Sequence, residues 1–94
     1  MELEFEWDEF KRASNLRKHG VDFLEAALIF EGATVEDIDD REDYEEERII
    51  AFGQINGVVY RVVYTWRDTA IRLISAQKAN KHDSKRYYET IVSH

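Results

Sequence analysis

Cysteine and proline are both absent from this chain of 94 residues. Without cysteine there is no disulfide, no thiolate metal site and no thiol nucleophile, which fits a reducing, intracellular compartment. Without proline no helix is broken by one and no native cis-prolyl bond can form. No apolar run is long enough to cross a bilayer, and no basic-then-apolar leader opens the chain, so a cytoplasmic protein with no membrane partner is expected. Basic charge is in deficit. Thirteen Lys and Arg face twenty Asp and Glu, a net charge of −7, which taken alone argues against a nucleic-acid partner.

The distribution of that charge says otherwise. Residues 34–47 alone carry −8, and residues 1–10 carry −5. Two basic stretches remain, +4 over residues 11–20 and +5 over residues 48–94, and they can meet in space. The acids of "EDIDDREDYEEE" read as a solvated loop. Their spacing matches no metal-binding loop, and no metal or other cofactor is expected. Twelve aromatics in a chain 44% apolar supply one respectable core, so a single domain over residues 1–94 is expected.

Periodicity gives the elements. "LEFEW" (3–7) alternates and reads as a strand. Asp8 caps a helix to about Lys18, with Phe10, Ala13 and Leu16 as its apolar stripe and Gly20 at the left-handed end. Asp22 caps a second helix that ends at Gly32, with Glu25 placed for a capping box and Phe23, Ala26, Ala27 and Phe30 as its buried face. Residues 34–39 make a weak strand. Asn56-Gly57 between "RIIAFGQI" and "VVYRVVYT" is the strongest short hairpin signal in the chain. Its two-residue loop pairs Ile50 with Val63 and Phe52 with Arg61. A second hairpin with "WRDT" as its loop would pair Val63 with Arg72 and Arg61 with Ile74. Asn80 caps a last helix whose stripe is Ser84, Tyr87, Tyr88, Ile91 and Val92. The expected fold is α+β, an antiparallel sheet of about four to five strands with two N-terminal helices and a C-terminal helix.

Side chains alternate along strands, so this register sorts the sheet into two faces. Ile49, Ala51, Gly53, Tyr60, Val62, Tyr64, Ile71, Leu73 and Ser75 share an uncharged face that takes the helices. Arg48, Arg61 and Arg72 share the other with Ile50, Phe52, Val63 and Ile74. That face is expected to be open. Guanidinium groups match phosphate geometry in pairs and hold their charge, and Phe52 beside them could stack a base, as suits single-stranded RNA. The plainer alternative is that a wet sheet face simply needs polar residues.

Cleavage of RNA needs a base for the 2′-hydroxyl and an acid for the leaving oxygen. His19, at the end of the first helix, is one candidate, though a histidine there also serves the helix C-terminus. Glu47 adjoins Arg48. Lys78 lies just past a strand end, with Lys81 and His82 in the first turn of the last helix. Lys18 flanks His19. His94 is terminal. Tyr64, Tyr87 and Tyr88 read as core, and no P-loop, Ser-His-Asp arrangement or metal-binding helix is present.

"FEWDEFKRASNLRKHGVDFLEAALIF" (5–30), "ERIIAFG" (47–53) and "RLISAQKANKHDSKRYYE" (72–89) resemble the BrnT toxins of bacterial type II toxin–antitoxin systems. Trp7-Asp8, Asn15, Lys18-His19-Gly20-Val21, Phe23 and Glu25-Ala26 all fall in register. The resemblance implies a RelE-like domain and RNA cleavage without a metal ion that stops translation. It also implies neutralisation by a small ribbon-helix-helix antitoxin, BrnA, usually in a two-to-two complex that binds DNA through the antitoxin. Arg48, Arg72, Lys78, Lys18 and His19 match the family's basic positions, whereas Arg61 comes from the strand pairing. Gln77 stands where the family commonly carries a basic residue. With the acidic segment, it supports the alternative of a weakly active or inactive homologue that acts by binding an antitoxin.

Overall fold

A computed structural model describes residues 2–93, so His94 lies outside the described residues. Five strands form one sheet in the order β1-β5-β4-β3-β2. They are β1 (Glu4–Glu6), β2 (Val35–Asp39), β3 (Arg48–Ile55), β4 (Val58–Arg67) and β5 (Ala70–Lys78). Three helices complete the domain: α1 (Glu9–His19), α2 (Phe23–Ala26), which runs on as a 3₁₀-helix over Ala27–Glu31, and α3 (Lys81–Val92). The sheet is mixed rather than antiparallel throughout, because β1 runs parallel to β5. α1 and α2 supply the crossover between β1 and the rest of the sheet, as a parallel pair requires.

The helix ends follow the capping residues. Asp8 accepts from the Phe10 amide at 2.7 Å, Asp22 from the Leu24 amide at 3.2 Å, and Asn80 from the Asp83 amide at 2.7 Å. Gly20 closes α1 in the left-handed conformation at φ 70°. Arg12 also ties the start of α2 to α1, reaching Asp22 at 2.7 Å.

The β3–β4 hairpin has the expected register, with Ile50 opposite Val63 and Phe52 opposite Arg61. Asn56 and Gly57 both take positive φ, 51° and 86°, as a type I′ turn demands. The second hairpin differs. Trp66 and Arg67 extend β4, and the turn shrinks to Asp68-Thr69, with Asp68 at φ 56°. Aspartate tolerates that conformation through local hydrogen bonding. Arg72 pairs with Thr65, and a β-bulge then inserts Ile74, so that Val63 pairs with Ser75 and Arg61 with Gln77. One extra residue reverses the facing of everything beyond it. Ser75 leaves the core side, Ala76 enters it at 0% exposure, and Gln77 joins Arg61.

The uncharged face carries the main core. Val21, Phe23, Ala26 and Ile29 pack on Ile49, Ala51, Tyr60, Val62, Tyr64, Ile71, Leu73 and Ala76. The approach is close at Gly53, where a Cβ would stand 2.6 Å from Ile29 Cβ, so only glycine lets the 3₁₀-helix settle there. The arginine face is not open as expected. α3 lies across its far end, and Tyr87 and Ile91 close a second cluster with Phe52, Val59, Val35 and Ile50.

α1 departs most from its pattern. Phe10, Ala13 and Leu16 are exposed, and the buried residue is Asn15. β1 covers only the first residues of β5, which leaves the edge of β5 open further along. Asn15 completes that edge. Its Nδ2 donates to the Ala76 carbonyl at 2.7 Å, its Oδ1 accepts from the Ala76 amide at 3.0 Å, and Nδ2 also reaches the Val21 carbonyl at 2.9 Å. A sheet edge needs hydrogen bonds more than apolar contact, so a polar side chain takes the inward position.

Candidate functional site

The register places Arg48, Arg61 and Arg72 on one side of the sheet. Their environments differ. The Arg48 guanidinium lies 3.9 Å from the centre of the Tyr44 ring and 3.4 Å from Glu46. Arg72 stands 3.6 Å from Glu6, whose Oε1 is buried without a hydrogen-bond partner. Arg86 of α3 reaches across to Asp37 at 2.8 Å and to the ring of Phe52. Arg61 forms no ion pair among the described residues. Burial pushes its guanidinium below the usual range, and the charge of Arg41 pushes the same way against the weaker pull of Asp39, Asp83 and Tyr44. An underpaired, half-buried guanidinium is a ready anion acceptor.

Arg41 had no mark in the sequence beyond standing alone among acids. It folds back on Asp39 with two guanidinium hydrogen bonds of 2.7 and 2.8 Å, its backbone amide adds a third at 3.3 Å, and the Tyr44 hydroxyl a fourth at 3.4 Å. The Asp39 side chain is wholly buried. Hydrogen bonds from Arg41 hold its carboxyl down to about 2, against an ordinary 3.8. The folded form is therefore the stronger acid, and the unfolded chain takes up the proton first as pH falls. The stabilisation is complete above about pH 4 and lost below about pH 2. With Arg41 itself more than half exposed and screened, it amounts to about 1–2 kcal/mol. The stability difference between the parent and Asp39→Asn, from urea melts, should shrink by that amount between about pH 5 and about pH 2. A difference constant over that interval would remove Asp39 as a titrating anchor.

Lys18 and His19 approach the same side by another route. They line a shallow groove of about 200 Å³ with Lys11, Ser14, Ile74 and Ser75. Ser75 sits opposite Val63 on the arginine side, so the groove reaches the side of the sheet that carries the arginines. Lys81 and His82 are exposed in the first turn of α3, whose Asp83 acts on Arg61.

Two expected members stand elsewhere. Phe52 is 4% exposed under α3 and has no ring face to offer a base. Lys78 pairs with Tyr60 of the main core, so the bulge sends it to the opposite side from Arg61. Glu47 is exposed at the start of β3, where its carbonyl accepts from Thr65 Oγ1 at 2.8 Å. Sequence reasoning missed Glu6, Arg41, Lys11 and Ser75. The lysine, at i and i+7 with Lys18, was visible as a helical repeat.

No helix among the described residues is long and apolar enough to cross a membrane. Comparison with the curated proteins gives no match. Residues 7–83 match the model of a family described as the ribonuclease toxin, BrnT, of type II toxin–antitoxin systems. That match takes in α1, the arginine strands and the start of α3, and the chain belongs to the BrnT family of ribonuclease toxins.

Proposed function

We propose that the protein is a cytoplasmic endoribonuclease that cuts single-stranded RNA without a metal ion and so inhibits translation. The observation that carries this reading is Arg61, a half-buried guanidinium with no carboxylate partner among the described residues, on one sheet face with Arg48 and Arg72. In the proposed reaction the 2′-oxygen attacks the adjacent phosphorus and the bond to the 5′-oxygen breaks. The products are a 2′,3′-cyclic phosphate and a 5′-hydroxyl. Arg61 holds the phosphate and stabilises the charge that gathers on its oxygens. Arg48 and Arg72 bind the flanking backbone in exchange for their contacts with Glu46 and Glu6. His19, whose groove reaches the arginine side of the sheet, takes the 2′-proton or supplies the 5′-proton. Glu47, exposed beside Arg48, is the other candidate base, and where His19 is the base the leaving 5′-oxygen takes its proton from water. Lys78, on the far side of the sheet, drops out of this scheme.

Membership of a toxin–antitoxin family implies an antitoxin partner. We take it to be a BrnA-like ribbon-helix-helix protein in a two-to-two complex that contacts DNA through the antitoxin. A second reading has its own support. Arg48, Arg72 and Arg86 are already faced by acids, and Gln77 stands opposite Arg61 where a further cation would serve. A chain so arranged could bind its antitoxin and cut poorly.

Purified protein incubated with single-stranded RNA in excess chelator separates the readings. Fragments with cyclic phosphate and 5′-hydroxyl ends support the nuclease. Intact RNA, with the antitoxin still bound, supports the interaction module.

A further inference from the structure

We propose that the groove between α1 and the bulge of β5 is a phosphodiester subsite, which holds RNA backbone next to the nucleotide being cut. It rests on the ribonuclease reading, but its lining can be tested without cleavage.

Asn15 builds the groove. By bonding both backbone groups of Ala76 it clamps α1 along the open edge of β5. Positions 11, 14, 18 and 19 share one helix face with Asn15, and the clamp turns that face toward the sheet. The bulge completes the other wall by bringing Ile74 and Ser75 to the same side. The result is two lysines, a histidine and two hydroxyls, with the Asn15 carboxamide and Ile74 completing the lining.

Among the described residues the groove lining contains no carboxylate, in a chain where acids outnumber bases by twenty to thirteen. The sheet arginines Arg48 and Arg72, by contrast, each face an acid. The groove is therefore a place where a polyanion meets cations without displacing a resident carboxylate. Lysine ammonium groups suit this task, because they take phosphate as point charges and need no fixed fork geometry. Serine hydroxyls donate to phosphate oxygens, as in other nucleic-acid contacts. Ser75 joins the groove to the arginine face through its pairing with Val63, two residue-pairs along from Arg61 and Gln77 on the same side of the sheet. A strand of RNA crossing Arg61 has this groove as its basic continuation.

The test uses a decamer of single-stranded RNA with 2′-O-methyl groups, which lacks the nucleophile and is not cut. Its affinity is compared across the parent, Lys11→Gln, the double variant Lys11→Gln with Ser14→Ala, and Arg17→Gln. Arg17 lies on the same helix outside the groove, so its variant removes the same charge elsewhere. Lys11→Gln should weaken binding about three- to tenfold and lower the salt slope by about 0.7, the value for one phosphate contact on a single strand. The double variant should weaken it further, and Arg17→Gln should stay near the parent. Thermal melts confirm that each variant is folded. Equal losses in Lys11→Gln and Arg17→Gln would overturn the subsite in favour of diffuse attraction, and so would parent-like binding by the double variant. A parent that binds the decamer through Lys11 but leaves ordinary RNA intact would overturn the nuclease reading and keep the subsite.

Discussion

Arg61→Ala should lower RNA cleavage by about 10²–10³-fold, the size seen when one preorganised donor to a developing anion is removed. It should do so without unfolding the protein. Both halves follow from the same imbalance. The Arg61 guanidinium is partly withdrawn from water, has the positive charge of Arg41 nearby, and has no carboxylate at ion-pair distance among the described residues. In the free protein that arrangement is unfavourable, because a desolvated charge is offset only by a well-placed opposite one. A phosphate supplies the opposite charge, and it does so most fully when extra charge builds on the oxygens in the transition state. Arg48 and Arg72 have less to gain, since part of what a phosphate offers is already provided by Glu46 and Glu6. Their alanine variants should therefore lose less. The melting temperature of Arg61→Ala should hold or rise, as relief of an uncompensated charge predicts. Arg61→Lys should recover little, because a point charge on a flexible stem does not reproduce the planar fork. Cleavage at the parent rate would remove Arg61 from the site, and a loss that merely tracked unfolding would make it structural.

Which parts of this arrangement were legible depended on how local the cause was. The first hairpin was legible to the residue, because Asn56-Gly57 admits one turn type and one register. With it came the grouping of Arg48 and Arg61. The helix caps were legible for the same reason, each being a short-range exchange between a side chain and nearby amides. The bulge at Ile74 was not. It carries no glycine, and nothing in "RLISAQK" marks where a residue is to be skipped. Its consequence is large, since it moves Lys78 away from Arg61 and brings Gln77 and Ser75 toward it. The stripe of α3 was read correctly at Tyr87, yet period alone does not say which face of the sheet a helix covers, and α3 covers the arginine side. The parallel pairing of β1 was equally hidden. "LEFEW" looks the same whichever neighbour it takes.

Asn15→Ala joins the fold to the site, and it should be the most destabilising single change on α1. The apolar period of that helix points to Phe10, Ala13 and Leu16, whereas the fold relies on a carboxamide one step away. Alanine keeps helix propensity, so the loss is confined to the three hydrogen bonds at 2.7, 2.9 and 3.0 Å. What remains is an amide and a carbonyl of Ala76, in a residue of 0% exposure, with no partner on that side. Leaving buried backbone groups unsatisfied costs about 1–3 kcal/mol each, so a total of about 3–5 kcal/mol is expected. For a domain whose whole stability is about 5–15 kcal/mol, that is a large share, and urea melts would show it directly. Asn15→Asp should fare little better. It retains the acceptor for the Ala76 amide but sets a carboxylate oxygen against two carbonyls. Activity should fall further than the unfolded fraction explains, because α1 released from β5 no longer holds Lys18 and His19 beside Ser75. That excess is the informative quantity. If Asn15→Ala melts like the parent, the clamp is not what holds α1. If it is less stable but keeps the full specific activity of its folded fraction, the groove residues have no part in the reaction.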